Sequence, residues 1–202
     1  MERAKIAVLA SGNGSNLQAM IDAVDSGRIN AEIAVVISDI GEANALRRAR
    51  KAGIKAVFAD PGEFRAADEF DGELMSRLER CRVKLVCLAG YMRILTPAFV
   101  RRYKGRIMNI HPALLPAFKG SKAIKDAFEY GVKVTGCTVH FVTEELDSGP
   151  VITQKTVTVC DDDTLETLTE KIHEAEHEIY PQAIEWFLEG RLKVDGRKVT
   201  RS

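Results

Sequence analysis

No run of apolar residues in this chain approaches the roughly 20 that a membrane span requires. The leading residues, Met1-Glu2-Arg3-Ala4-Lys5, open only into the short run Ile6–Ala10, which reads as a strand and lies in surroundings too polar for a signal peptide. Neither sign of charge is in excess, since Lys plus Arg and Asp plus Glu each number 29. That balance speaks against nucleic acid or an anionic membrane as the main partner, although it leaves room for a local basic patch. Cysteine is scarce: Cys81, Cys87, Cys137 and Cys160 are widely spaced and form no C-x-x-C pair. We read them as reduced core residues of a cytoplasmic protein, not as a disulfide frame. Repeats, low-complexity stretches and linkers are absent as well.

What the chain does have is core-forming material. Apolar residues make up 46% of its 202 positions, which suits one domain. In the first half, apolar runs alternate with amphipathic stretches. Strands are expected at Lys5–Ala10, Ala31–Ser38, Lys55–Phe58 and Lys84–Ala89, and helices after Asn16, over Glu42–Ala52 and over Ala66–Cys81. That alternation predicts an α/β fold with a mostly parallel, twisted central sheet and helices on both faces, whose strand-to-helix loops share one edge. The second half is less regular. Arg106–Ile110 reads as a strand running into His111-Pro112, followed by a long loop and a helix near Ser121–Tyr130. Val134–Val142 and Pro150–Val159 read as longer strands, and Thr164–Leu188 as a long helix capped by Asp163 or Thr164 and bent at Pro181. A hairpin is expected around Asp195-Gly196.

Three segments carry candidate chemistry. Ser11-Gly12-Asn13-Gly14-Ser15-Asn16 joins the first strand to the first helix. Glycines there let backbone approach a ligand, and free amides at a helix start favour an anion. Leu17 occupies the third glycine position of a dinucleotide fingerprint and no G-K-[ST] follows, so neither standard nucleotide motif applies. A tight turn with a helix cap is the plain alternative. Asn109-Ile110-His111-Pro112 lies at a strand end; Pro112 keeps His111 out of the helical region, and the spacing of two points both side chains to one side. An amide donor beside an imidazole suits an oxyanion with nearby proton transfer. A locally bonded loop histidine would look the same. Asp147 sits in the turn Glu144–Pro150, where it is an ordinary acidic turn residue unless the fold brings it to His111 and so favours and orients the charged ring.

His173-Glu174-Ala175-Glu176-His177 matches the zinc-protease pattern H-E-x-x-H. The extended pattern would need Gly at position 180 and His at 183, where Tyr180 and Ala183 stand, and no Glu or His follows Glu189. A charged helix face accounts for the pattern, and no metal is expected.

Taken together, SGNGSNLQA near 11, LAGYMRILTPAFV near 88, NIHPALLPAFKG at 109, GCTVHFVTEELDSGPVI at 136 and EHEIYPQAIEWFLEGRL at 176 resemble the phosphoribosylglycinamide formyltransferases, a family of folate-dependent enzymes, over about Lys5 to Leu192. The resemblance implies one formyltransferase domain over 1–202, with a phosphate-binding half at about 1–100 and a catalytic, folate-binding half at about 101–190. It implies formyl transfer from 10-formyltetrahydrofolate to the amine of glycinamide ribonucleotide, in purine biosynthesis. The ribonucleotide and its phosphate fall on Gly12, Asn13, Gly14, Ser15, Asn16, His173 and Glu176. The folate falls on Met92, Arg93, Ile94, Leu95, Asn109, Val142 and Asp147, and the catalytic trio on Asn109, His111 and Asp147. Some relatives place Arg four residues before the residue matching Asp71, to meet the folate's glutamate tail; here that position is Ala67, and Arg65 is the nearest arginine. The implied partners are these two small molecules, with a homodimer left open.

Two relatives with the same Asn-x-His arrangement remain as alternatives, formyltetrahydrofolate hydrolase and methionyl-tRNA formyltransferase. Each carries a further domain, N-terminal in the first and C-terminal in the second, whereas this chain starts at strand one and ends soon after the long helix. A non-catalytic nucleotide-binding module is the alternative of a different class, and it would have no use for the catalytic trio.

Overall fold

A computed structural model describes residues 3–202; Met1 and Glu2 of the polar leader, counted in the expected 1–202 domain, lie outside the described residues. The fold is α/β, with seven strands laddered in the order β3-β2-β1-β4-β5-β6-β7: β1 Ala4–Leu9, β2 Ala31–Ser38, β3 Ala56–Phe58, β4 Leu85–Leu88, β5 Ile107–His111, β6 Val134–Phe141 and β7 Val151–Thr158. The chain divides into two compact units, the first ending at Met108 and the second running Asn109–Ser202.

In the first unit, β1 pairs in parallel with both β2 and β4, and β2 with β3. The central strands are buried almost throughout, which is why their sequences read as continuous Val, Ile and Leu instead of alternating. Helices α1 Ser15–Asp25, α2 Asn44–Lys51 and α3 Ala67–Arg80 connect them, and each buries one face: Leu17, Met20 and Ile21 in α1, Leu46 and Ala49 in α2, Phe70, Leu74 and Leu78 in α3. A further helix, α4 Pro97–Arg102, was not among the expected elements. Its signal was present as Thr96-Pro97, a side-chain cap followed by proline in the first turn, and Thr96 Oγ1 accepts the Phe99 N–H at 3.4 Å.

In the second unit, β6 and β7 are antiparallel, and the turn between them carries Asp147. Helix α5 Ala123–Tyr130 ends on Gly131 in the left-handed conformation. Helix α6 Leu165–Leu188 begins with a capping box between Thr164 and Thr167, so Thr164 is the cap; Asp163 instead accepts from the Cys160 N–H and from Lys171. The helix continues through Pro181 to Leu188, held by the buried residues Leu168, Ile172, Ile179, Tyr180 and Ile184. A hairpin of β8 Leu192–Asp195 and β9 Lys198–Arg201 closes the chain, with Arg201 over the Trp186 ring at 4.2 Å. None of the four cysteines, all among the described residues, forms a disulfide. Cys87 and Cys137 are core residues and Cys81 is half-buried, but Cys160 is exposed and corrects the expectation of four core thiols: it follows β7, where the chain turns through solvent toward α6. Among the described residues no helix is long and apolar enough to cross a membrane.

Gly149 fixes the course of the β6–β7 turn. A Cβ there would stand 1.6 Å from the Phe141 carbonyl oxygen, in a strand whose Phe141 N–H already donates to Pro150. Gly72, inside α3, has nothing within 4 Å of the corresponding position. Gly149→Ala should therefore destabilise the protein by about 3 kcal/mol or more, through forced backbone displacement. Gly72→Ala should stabilise it by about 0.5–1 kcal/mol, the helix advantage of Ala over Gly. Urea unfolding midpoints would check both signs, and an unperturbed Gly149→Ala would contradict the packing.

Candidate active site

Two groups of site residues emerge, one in each unit. In the first unit the glycine-rich loop leads into α1. Gly14 sits at the N-cap in the left-handed conformation, φ +72°, and a Cβ there would lie 2.8 Å from Ala45 Cα. The glycine is thus required by the packing of the loop on α2 as well as by any ligand, so the plain structural reading of this loop is partly right. Gly12 differs, because nothing lies within 4 Å of its added Cβ and its φ is not in the left-handed region. Among the described residues no side chain caps the start of α1, which leaves the amide-rich helix end available to an anion. The loop is braced from α2: Arg48 Nε donates to the Asn13 carbonyl at 2.9 Å, and its Nη1 to Gln18 at 3.2 Å. Sequence reasoning did not single out Arg48, whose alternation with other arginines in LRRARK looks like an ordinary solvated face.

The segment Met92–Leu95 follows β4 in the same unit. Met92 and Ile94 are exposed, Leu95 is buried, and the Arg93 guanidinium lies over the Phe70 ring at 4.9 Å. Arg65 is exposed; its backbone N–H is bound by Glu69 at 3.1 Å.

In the second unit, Asn109 and His111 stand two apart on extended backbone in β5, and Asp147 comes to them from the β6–β7 turn in a left-handed conformation, φ +47°. Asp147 Oδ2 accepts the Gly120 N–H at 2.8 Å and lies 3.6 Å from His111 Nδ1, an ion-pair distance that exceeds a hydrogen bond. The other edge of the His111 ring, Nε2, is 2.8 Å from the Phe118 carbonyl. His111 is only 4% exposed.

His140, which sequence reasoning missed, completes the cluster. Its Nδ1 lies 3.0 Å from the Phe141 carbonyl, and a carbonyl can only accept, so the proton is on Nδ1. Nε2 is then the acceptor, and it receives the Asn109 Nδ2–H at 3.2 Å. The amide of Asn109 is thereby oriented, with its NH2 toward His140. Asp147 Oδ1 is 3.9 Å from the same Nε2. Burial pushes the His140 pKa below the ordinary histidine value, despite opposition from the Phe141 carbonyl and Asp147, and so keeps the ring neutral. The signal in the sequence was faint: a histidine inside an apolar strand, GCTVHFV, looks like a satisfied core residue.

Val142 directly follows β6. On α6, Glu176 is buried at 4% exposure, and the His173 and His177 rings stack at 6.4 Å and 24°. Burial lowers the His173 pKa. Among the described residues no group of three or more metal-ligating side chains occurs, so this histidine pair has no third ligand beside it.

Comparison with known proteins follows the same lines. A family model described as Formyl transferase matches residues 4–184. Phosphoribosylglycinamide formyltransferase of Escherichia coli strain K12 is 46% identical over 189 residues, 94% of this chain and 89% of that protein. The crystal structure of glycinamide ribonucleotide transformylase 1 from Symbiobacterium toebii matches with a TM-score of 0.97 at 50% identity, over 98% of this chain and 94% of that one. The trifunctional purine biosynthetic protein adenosine-3 of Gallus gallus is 46% identical over 192 residues, and there the chain spans only 19% of the relative's length.

A neutral buried histidine makes stability depend on pH with a definite sign. Below the unfolded value, 6.5, the unfolded chain takes up a proton that folded His140 refuses, so stability present above that pH is lost as pH falls toward the folded pKa. His140→Gln keeps an acceptor for Asn109 and removes the titration. Comparing urea midpoints at about pH 7 and about pH 5, the wild type should lose more stability than the variant. Equal losses would show that His140 is not held neutral.

Proposed function

The chain belongs to the formyl transferase family, among its phosphoribosylglycinamide formyltransferases, and from that premise we propose that it transfers a formyl group from 10-formyltetrahydrofolate to the amine of glycinamide ribonucleotide. The whole chain serves as one formyltransferase domain, acting in the cytoplasm in purine biosynthesis. Activities of the remaining four-fifths of the trifunctional relatives are not part of the proposal.

The observation that carries the reading is the largely buried cluster in which His111 and His140 stand beside the half-buried Asn109 and Asp147. The substrate amine attacks the formyl carbon, the carbonyl π pair moves onto oxygen, and a tetrahedral oxyanion forms. Asn109, whose amide His140 orients, donates to that oxygen. His111 has the Phe118 carbonyl at hydrogen-bond distance from one ring edge and the Asp147 carboxylate 3.6 Å from the other, which places it to deliver a proton. Its proton goes to N10 of the folate as the carbon–nitrogen bond breaks. The attacking amine gives up a proton through Asp147 and a water, which restores the balance. Removing one oxyanion donor commonly costs about 10²–10³ in rate, and holding two substrates together supplies roughly 7–11 kcal/mol in the best-oriented cases. Turnover therefore falls without vanishing when one group is lost.

The ribonucleotide phosphate is assigned to Gly12, Asn13, Gly14, Ser15 and Asn16 at the open end of α1, with Glu176 and His173 toward the rest of that substrate. The pterin is assigned to Met92, Arg93, Ile94, Leu95, Val142 and Asp147, and the glutamate tail to Arg65. No step calls for a metal.

A spectrophotometric assay of tetrahydrofolate release, run with glycinamide ribonucleotide, water and charged initiator tRNA as acceptors, tests the reading. Only the ribonucleotide should be formylated; turnover with water or tRNA instead would replace the assignment by one of the related enzymes. Gly12→Ala extends the test to the phosphate loop, because it leaves the fold undisturbed. It should raise the ribonucleotide KM about tenfold or more, and the folate KM by less than about twofold. Gly14→Val is the poorer probe, since its side chain collides with Ala45 before any phosphate is present.

A further inference from the structure

The residue that opens the glycine-rich loop makes its bonds elsewhere. Ser11 donates its N–H to the Gly90 carbonyl at 3.0 Å. Its hydroxyl donates to Asp39 Oδ1 at 2.6 Å and accepts the Met92 N–H at 2.9 Å. A serine hydroxyl carries one proton, and Asp39 has claimed it, so lone pairs alone face the Met92 amide. The direction of the relay is fixed: Met92 donates to Ser11, and Ser11 donates to Asp39. The three residues follow the ends of β4, β1 and β2, adjacent strands in one parallel ladder, so the relay ties three strand ends together.

The other end of the segment is held in the same manner. Asp71, buried in α3, accepts the Thr96 N–H through Oδ2 at 2.7 Å, and Arg93 is stacked over Phe70. Between these anchors Met92 and Ile94 stand exposed, Ile94 at 74%. A backbone pinned by the Asp39-backed Ser11 hydroxyl at one end and the Asp71 carboxylate at the other, while it displays apolar side chains, is a preorganised binding edge, because the ordering cost is met in the folded protein and not on binding.

We propose that Ser11, backed by Asp39, is a positioning residue for the folate and not a ligand of the ribonucleotide phosphate, although it stands in the phosphate-loop motif. The inference rests on the assignment of Met92–Leu95 to the folate. Ser11 sets where the Met92 amide lies, and through it the surface offered to the pterin, while Gly12–Asn16 carry the phosphate. The two substrates are then recognised by neighbouring residues of one loop with separable effects.

The test compares Ser11→Ala, Ser11→Thr and Asp39→Asn in steady-state kinetics, together with direct binding of 5,10-dideazatetrahydrofolate, a folate analogue unable to carry the formyl group at N10. Ser11→Ala should raise the folate KM and the analogue Kd about tenfold, the effect of losing one charge-backed hydrogen bond. The ribonucleotide KM and kcat should stay within about twofold, and Ser11→Thr, which keeps the hydroxyl, should lie within about twofold of wild type. Asp39→Asn retains an acceptor oxygen and should show a smaller rise on the same substrate; it carries the comparison if Ser11→Ala fails to fold. A ribonucleotide KM that rises as much as the folate KM, or a threonine that fails to restore folate binding, overturns the proposal. Wild-type protein that binds no folate analogue would overturn the folate assignment of Met92–Leu95 itself, whereas normal wild-type binding with unaffected variants overturns only the role given to Ser11 and Asp39.

Discussion

The second unit of this protein is organised around one buried carboxylate. Asp147 has little contact with water, and an ion taken out of water costs several kcal/mol unless its oxygens are met by donors and opposite charge. Here Oδ2 receives the Gly120 amide and faces His111, and Oδ1 faces His140. Reaching that position requires the left-handed backbone at Asp147 and the close approach of Gly149 to Phe141. The next residue is also committed: Ser148 donates to the Leu146 carbonyl and accepts from Lys119 at 2.5 Å, which ties the turn to the segment that carries Phe118 and Gly120. The placement of His111 between Asp147 and the Phe118 carbonyl is a consequence of this one turn.

The two histidines beside that carboxylate are set to different tasks by their surroundings. His140 has a carbonyl at one edge and the Asn109 amide at the other, a donor–acceptor pair that only the neutral ring satisfies. His111 has the Phe118 carbonyl at one edge and the Asp147 carboxylate at ion-pair distance from the other. In the proposed reaction the neutral ring orients the amide offered to the oxyanion, and its neighbour is placed to move a proton. The proposed attack of an amine on a formyl group needs both roles.

Much of this was legible in the sequence where the signal is local. Continuous apolar strands at Ile6–Ala10 and Leu85–Leu88 announced a parallel sheet, and Asn109-Ile110-His111-Pro112 announced two polar side chains on one side of a strand end. What was illegible depended on distant pairing. His140 looked like core because it sits in an apolar strand, and its meaning appears only when β6 carries it to Asn109. Ser11 looked like part of a phosphate loop until its hydroxyl was found on Asp39 and Met92, residues 28 and 81 positions away. Gly14 shows the converse: its motif suggested a ligand, and its packing on Ala45 adds a structural reason of comparable weight. Pattern reading places side chains on faces, but hydrogen-bond partners across the fold decide which of them work together.

In the proposed mechanism Asp147 and His111 act as one unit on the formyl transfer, and a double-mutant cycle on kcat decides whether they do. His111→Ala and Asp147→Asn should each lower kcat by about 10²–10³ with much smaller effects on ribonucleotide binding. The double variant should be little worse than the poorer single variant, since both changes disable the same device. Circular dichroism spectra matching the wild type would secure the comparison. Fully multiplicative losses, or an Asp147→Asn enzyme with wild-type kcat and pH profile, would contradict the account and leave Asp147 as a shaping element of the turn alone.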